Sequence, residues 1–351
     1  MEAIRKSFYQ LNFEELQILL IKLDFNPALA KDLFDYKYKF KELNSKSTPP
    51  SFLEIVSNII DFSLPKITKT QTSTDGTIKF LFELEDQKNV ECVLIPFFKK
   101  YTICLSSQVG CAMNCSFCYT GTQGLKRHLK FYEIIQLYMS AFQYLKTNIN
   151  KFAPTPNIVF MGQGEPLHNF DEVKHSIERF LDKRAFYLGS RQITLSTAGY
   201  LPGLMRFNEL QNINLAISFH SAKNETRNEL IPLNKKYPIE LLLSTLSNLT
   251  FLKKQFITFE YLLIKNLNDS KEDAELLANT LKDRKAIVNL IPFNPFPGSH
   301  FERPTNLEVL QFKDWLVAHG VRTMVRTTKG DEILAACGQL NTKLVNSDLL
   351  E

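Results

Sequence analysis

CAMNCSFC, residues 111–118, sets Cys111, Cys115 and Cys118 at a Cys-x3-Cys-x2-Cys spacing. That gives three thiolates and no fourth nearby. A cubane [4Fe–4S] cluster has four irons, and full protein ligation takes four cysteines. Three ligands leave one iron open to chelate a small molecule. Two other readings compete. A zinc site would want a fourth N or S ligand and C-x2-4-C pairs, and three buried thiols could lie close by chance. A disulfide framework does not suit six cysteines spread over 351 residues without a secretory leader.

Composition is that of an ordinary globular protein: 44% hydrophobic and 23% charged residues, with a net charge of +5. The charge is compatible with nucleic acid without demanding it. No apolar run is long enough to span a bilayer, and the best, around Phe256–Ile264, has strand length. A cytoplasmic protein with no membrane partner, monomeric, is the expectation.

Working outward from the cysteines, the chain divides in two. Apolar residues at helical spacing predict a helix over Leu11–Leu23, a second opened by Pro27 and running through Phe34, and a third over Ser51–Ile60. Thr74-Asp75-Gly76 then joins two strand-like runs as a hairpin, and VECVLIP (90–96) leads toward the cysteines. From about residue 100, strands alternate with helices. Strands are expected at Thr102–Leu105, Asn157–Met161, Gln192–Ser196, Asn214–Phe219, Thr258–Ile264, Val288–Ile291 and Arg322–Val325. Helices are expected at Tyr132–Leu145, Asp171–Leu181, Ile239–Leu252, Lys271–Leu281 and Leu307–His319. Such alternation predicts an α/β fold with a helix-covered parallel sheet, and six or so units suit a partial (β/α)6 barrel, whose chemistry sits at the C-terminal strand ends. The expected division is 1–85 as an N-terminal accessory domain with its β-hairpin extension, 86–345 as the core with its C-terminal cysteine loop, and 346–351 as a tail.

The noteworthy polar residues fall at those strand ends. MGQGEP (161–166) follows a strand, and Gly164 and Glu165 could grip an amino group by carbonyl and carboxylate; a plain turn ended by Pro166 reads equally well. Ser196, Ser218, His220 and Asn294 offer short hydrogen-bonding groups. Cys337 lies in GDEILAACGQL between Gly330 and Gly338, which suggests a mobile loop. The commoner fate of such a cysteine is a small buried hydrophobe, and Cys92 and Cys104 read the same way. The loop GLKRHLK (124–130), with Lys99, Lys100, Lys235 and Lys236, could line a phosphate-binding face or simply be solvated.

Taken together, these segments resemble the RlmN/Cfr family of radical S-adenosylmethionine (SAM) RNA methyltransferases along nearly the whole chain. The carriers are SSQVGCAMNCSFCYTGTQGLKRHL, GQGEPLHN, ITLSTAG, AISFHSAKNETRNELIPLNKKYPI, NLIPFNPFPG and RTTKGDEILAACGQL. Phe117, just before the last cysteine, also fits the radical SAM motif. The resemblance implies that Cys111, Cys115 and Cys118 hold a [4Fe–4S] cluster. It implies SAM contacts from Gly164, Glu165, Ser196, Ser218, Phe219, His220 and Asn294. Cys337 would carry a methyl taken from a first SAM, and a 5′-deoxyadenosyl radical from a second SAM would remove hydrogen from it before it adds to an adenine. Glu91 would accept the ring proton. Cys104 would resolve the adduct through a transient disulfide with Cys337.

Two regiochemical outcomes follow from the resemblance. RlmN-type enzymes methylate adenine carbon 2 in 23S rRNA and in tRNA next to the anticodon, and Cfr-type enzymes methylate carbon 8 of the rRNA adenosine and confer antibiotic resistance. GEPLHN and FNPFPG are similar to the former. Gln163, where Met is usual, and Tyr119 depart from the pattern. A flavodoxin- or ferredoxin-like electron donor is implied. A non-catalytic Fe–S RNA-binding protein is the alternative of a different class, although it would need none of Glu91, Cys104 and Cys337.

Overall fold

The computed structural model describes residues 5–98, 100–252 and 255–342. One ten-stranded sheet organises it, and its strands lie side by side in the order in which they occur along the chain. In that order the strands are β1 (Lys66–Thr72), β2 (Ile78–Glu83), β3 (Asn89–Phe97), β4 (Lys100–Cys104), β5 (Asn157–Phe160), β6 (Ile193–Thr197), β7 (Asn214–Ser218), β8 (Ile257–Leu263), β9 (Ala286–Pro292) and β10 (Thr323–Val325). The first four are antiparallel neighbours. From β4 to β10 every pairing is parallel. Strands β4–β9 are the six of a partial (β/α)6 barrel, and β10 adds a short seventh.

The helices are α1 (Phe13–Lys22), α2 (Leu29–Lys39), α3 (Phe52–Ser57), α4 (Phe131–Tyr144), α5 (Phe170–Leu181), α6 (Leu201–Leu204), α7 (Asn224–Leu230), α8 (Ile239–Ser247), α9 (Lys271–Leu281) and α10 (Asn306–Ala318). Local chemistry fixes several starts. Asn12 and Glu15 exchange reciprocal hydrogen bonds of 2.7 and 2.8 Å across the first turn of α1, and Ser270 with Asp273 and Thr305 with Glu308 repeat this capping box at α9 and α10. Helix α8 is shorter than its apolar run predicts. After Ser247 the backbone tightens, and Asn208 Oδ1 accepts the Thr250 N–H at 3.1 Å, drawing the chain off the axis. Helix α3 likewise stops early because Ile60–Asp61 pair in parallel with Lys6–Ser7.

Residues from Phe8 to Val321 form one continuous apolar core, so α1–α3 pack on the same hydrophobic mass as the barrel. The hairpin β1/β2 is also part of the main sheet, whose hydrogen-bonded ladder runs from β2 into β3 across residue 85. The tail 346–351 lies outside the described residues, as does Lys99. Among the described residues no helix is long and apolar enough to cross a membrane.

Candidate active site

The C-terminal ends of β5–β10 surround one cavity of about 150 Å³. That six successive strand ends reach a single cavity shows how far the sheet curls. Its wall carries Cys111, Cys115 and Cys118 from the loop after β4, Gly164 and Glu165 after β5, Ser196 on β6, Ser218 and His220 at β7, and Cys337 from the C-terminal segment. Residues separated by more than two hundred positions are therefore brought together, and most of the site read from sequence is among them.

The three loop cysteines are free thiols. Burial pushes the Cys111 thiol up to about 12, and it raises Cys115 and Cys118 as well. Among the described residues no group of His, Cys, Asp and Glu converges on a single metal ion. The three sulfurs instead flank a cavity, which suits a multi-iron cluster better than one zinc. Three soft donors from one loop also fit a cluster that keeps one iron open, the fourth thiol of the wall, Cys337, coming from a separate segment. Loading it must displace the thiol protons that burial retains.

The other side of the cavity is built for a polar, cationic guest. Gly164 has φ +101°, and a Cβ there would come within 2.6 Å of Gln108 Cβ, so only glycine fits. Glu165 is buried; its carboxylate accepts the Ala198 N–H at 2.8 Å and the Leu167 N–H at 3.1 Å. Burial nevertheless pushes its pKa up to about 7. A bound ammonium would hold it ionised. His220 Nδ1 accepts the Leu262 N–H at 3.0 Å, and burial, followed by the Arg227 charge, lowers its pKa to about 3. The ring is thus neutral at working pH. With Nδ1 accepting, the proton resides on Nε2, which makes that edge a donor. Phe117 packs edge-on against this imidazole at 4.7 Å.

Cys337 also lines a second, larger cavity of about 670 Å³, together with Cys104 and Asn294. The thiol thus stands on the wall between two spaces. Burial, and next the neighbouring Cys337, push the Cys104 thiol up to about 12, while the Arg326 guanidinium opposes them. All six cysteines are free, so the disulfide expected between Cys104 and Cys337 is absent from this state. Asn294 does not face the first cavity. Its Nδ2 donates to the Cys337 carbonyl at 3.1 Å and its Oδ1 accepts from Arg303 and Thr328. Gly330 and Gly338, at φ +68° and +85°, form the left-handed turns that let the Cys337 segment fold back. That segment is pinned by Thr120 Oγ1 on the Leu340 carbonyl at 2.7 Å and by Lys79 on the Leu334 carbonyl at 3.2 Å.

Two expected residues lie on neither wall. Phe219 is 0% exposed and packs edge-on against Phe259; its N–H and C=O are committed to Glu260 and Arg227. Glu91 is buried with its carboxylate 3.4 Å from Lys79 Nζ. Burial raises its pKa, against the Lys79 charge and the Asn341 backbone. Gln163 supports it from behind, accepting the Glu91 N–H on Oε1 at 3.2 Å. Tyr119 stacks on Phe296 at 4.9 Å.

The basic loop is committed in part, and Lys126 is exposed. Arg127 is held by Asp86 and Glu133, and Lys130 by Glu172. Lys100 opens β4, whereas Lys235 and Lys236 follow β7, at the opposite end of the barrel.

Sequence reasoning missed Arg227. It is 1% exposed, and its guanidinium donates to the carbonyls of Phe219, Ala198 and Ser218 and to Asn234 Oδ1. It ties the ends of β6 and β7 together directly behind the cavity. Nothing in the polar run KNETRNEL signals that this arginine is inside. Arg227→Met keeps the bulk but takes a donor away from four acceptors, of which the Phe219 carbonyl keeps the Ser221 N–H, and unfolding stability is expected to fall by about 3 kcal/mol. A drop in the urea midpoint with an unchanged slope would show it; an unchanged midpoint would contradict this role.

A model of the Radical SAM superfamily matches residues 105–278. A probable dual-specificity RNA methyltransferase RlmN of Syntrophomonas wolfei is 37% identical over 96% of this chain and 98% of its own length. The dual-specificity RNA methyltransferase RlmN of Gluconobacter oxydans is 38% identical over 97% and 86%. A crystal structure of a radical SAM methyltransferase from Sphaerobacter thermophilus superposes with a TM-score of 0.87 at 32% identity, covering 96% of this chain and 99% of that one. The cavity's chemistry and these likenesses agree: the chain belongs to the RlmN family of RNA methyltransferases, radical SAM enzymes that work with a [4Fe–4S] cluster and SAM.

Proposed function

We propose that this enzyme methylates carbon 2 of adenosine in 23S rRNA and in tRNA next to the anticodon, with Cys337 as the methyl carrier. The observation that carries this reading is the position of Cys337 on the wall between the cavity of the three cysteines and the cavity of Cys104. A carrier must meet a donor on one side and an acceptor on the other. The dual-specificity relatives support the choice of RNA.

Cys111, Cys115 and Cys118 would hold the cluster, and Gly164, Glu165, Ser196, Ser218 and His220 would orient SAM. When bound, the pair supplies a transferable methyl group and, on reduction, a carbon radical. The protein's own part is covalent. Once the methylene of Cys337 is bonded to the adenine ring and the adduct radical has given its unpaired electron back to the oxidised cluster, Glu91 would accept the ring proton; its raised pKa suits a base. Glu91 lies beneath the Leu340–Asn341 stretch, so it acts after that stretch lifts and the Thr120 contact breaks. Cys104 thiolate then attacks the Cys337 sulfur. An S–S bond forms, the S–CH2 bond breaks, and the carbon leaves with the electron pair to be protonated as the new methyl group. Two electrons from a thiol reductant restore the free cysteines seen here.

A cytoplasmic monomer served by a flavodoxin- or ferredoxin-like donor completes the reading. The α1–α3 module and its hairpin extension are the proposed RNA contact of the N-terminal region.

The test is mass spectrometry of nucleosides after anaerobic incubation of the reconstituted enzyme with SAM, reductant and unmethylated RNA. 2-Methyladenosine in both RNAs is expected. 8-Methyladenosine would move the chain to the Cfr type, and product in only one RNA would make it a specialised enzyme. No methylated adenosine, with cluster and SAM bound, would favour a non-catalytic RNA-binding protein.

A further inference from the structure

The cavity holding the three cysteines is taken up by the cofactors, so an acceptor base has to reach Cys337 from the other side. That side is the larger cavity, which runs from Cys337 and Cys104 to a rim formed by Phe97 and Phe98. The rim sits at the tip of the β3–β4 hairpin, at the N-terminal end of the barrel. Phe98 is 94% exposed and Phe97 62% exposed. Their rings meet edge to face at 4.8 Å. Neither belongs to the apolar core. Phe98 also adopts φ +51°, a left-handed conformation that a bulky side chain rarely takes and that holds its ring away from the fold. The exposed Lys100 is the register partner of Phe97 across the hairpin. Two solvent-facing aromatic rings and an ammonium at the mouth of a path to the reactive thiol match single-stranded nucleic acid, in which unstacked bases seek aromatic faces and phosphates seek cations.

We propose that Phe98, buttressed by Phe97, is the stacking platform for the unpaired base next to the target adenosine, replacing the stack lost when that adenosine turns into the cavity. This rests on the reading that Cys337 reacts with an RNA base. Extruding a nucleotide costs its stacking energy, and a platform at the entrance offsets part of that cost without reading sequence. One rim would therefore serve RNAs of different context.

The experiment compares wild type, Phe98→Ala, Phe97→Ala, the double variant and Phe98→Trp on one hairpin RNA containing an unmethylated target adenosine. Fluorescence anisotropy gives Kd, and steady-state methylation gives KM and kcat separately. For Phe98→Ala, Kd and KM are expected to rise about ten-fold, within the range found when a base-stacking aromatic is removed. Little change in kcat is expected at saturating RNA, and Phe98→Trp is expected to restore binding. Methylation of Cys337 by SAM without RNA should be as in wild type, which checks fold and cofactor loading. Wild-type Kd and KM in the double variant would overturn the platform while the methyltransferase reading stands; that rim would then be left to a protein partner. Absence of product from the wild-type enzyme on this RNA would overturn both.

Discussion

Cys118→Ala is expected to abolish both iron loading and RNA methylation. The thiol sits in the wall shared with Cys337, and the Tyr119 N–H beside it is bonded to the Gly338 carbonyl at 2.6 Å. Taking away one of three soft donors leaves two, which cannot hold a cluster whose fourth position is already open. The loss of turnover should exceed the roughly 10–100-fold typical of removing a group one layer outside a metal site. Iron and sulfide analysis with visible absorption reads the first effect, and nucleoside mass spectrometry reads the second. The control is Cys92→Ala. Cys92 is fully buried on β3 and lines neither cavity, so that variant should lose stability but keep iron and turnover. Full iron in Cys118→Ala would contradict the assignment of the three-cysteine loop.

The second large effect separates two thiols that share a cavity. Cys337→Ala should retain the cluster and bind RNA while turnover disappears, because no carrier is left. Cys104→Ala should instead accept the methyl, react once and stall, leaving a protein–RNA adduct on Cys337 in an amount no greater than the enzyme. Denaturing gel electrophoresis with labelled RNA distinguishes them: a shifted band for Cys104→Ala and none for Cys337→Ala. A pH dependence follows from the same geometry. The Cys104 thiol is pushed up to about 12 by burial and by Cys337. Below that value its thiolate fraction grows about ten-fold per pH unit. Release of the adduct should therefore speed up with rising pH, and a flat profile for a release-limited reaction would exclude Cys104 as the attacking group.

Much of this arrangement could be read from the residues alone. The alternation beyond residue 100 marked every parallel strand to within two residues, since buried apolar runs bounded by polar turns have few other solutions. Helix α9 matched Lys271–Leu281 because its Ser270/Asp273 box fixes the start. That the three-cysteine loop, Gly164, Glu165 and His220 belong together was legible because strand ends leave short polar signatures, and they line one cavity. What was hidden depends on tertiary contact. The Lys6–Ser7 pairing with Ile60–Asp61 is too short and too distant in sequence to carry a pattern. The pairing of Arg127 with Asp86 and Glu133 makes that one residue of the basic loop a structural tie. Asn294 reads as a ligand because it follows β9, and the bond from its amide to the Cys337 carbonyl is a tertiary contact that no sequence pattern announces. Arg227 looked like surface charge and is interior because four carbonyl-type oxygens converge on it.

The measurement that bears most directly on Cys337 as carrier is the isotopic content of the product methyl. With SAM carrying a CD3 group, the methyl passes to Cys337, loses one deuterium when the radical forms, and regains one proton from solvent when Cys104 releases it. The 2-methyladenosine formed should therefore carry two deuterium atoms and one protium, with deuterium lost to 5′-deoxyadenosine. Product retaining all three deuterium atoms would mean direct displacement from SAM to the base, and would contradict the role given to Cys337 and Cys104.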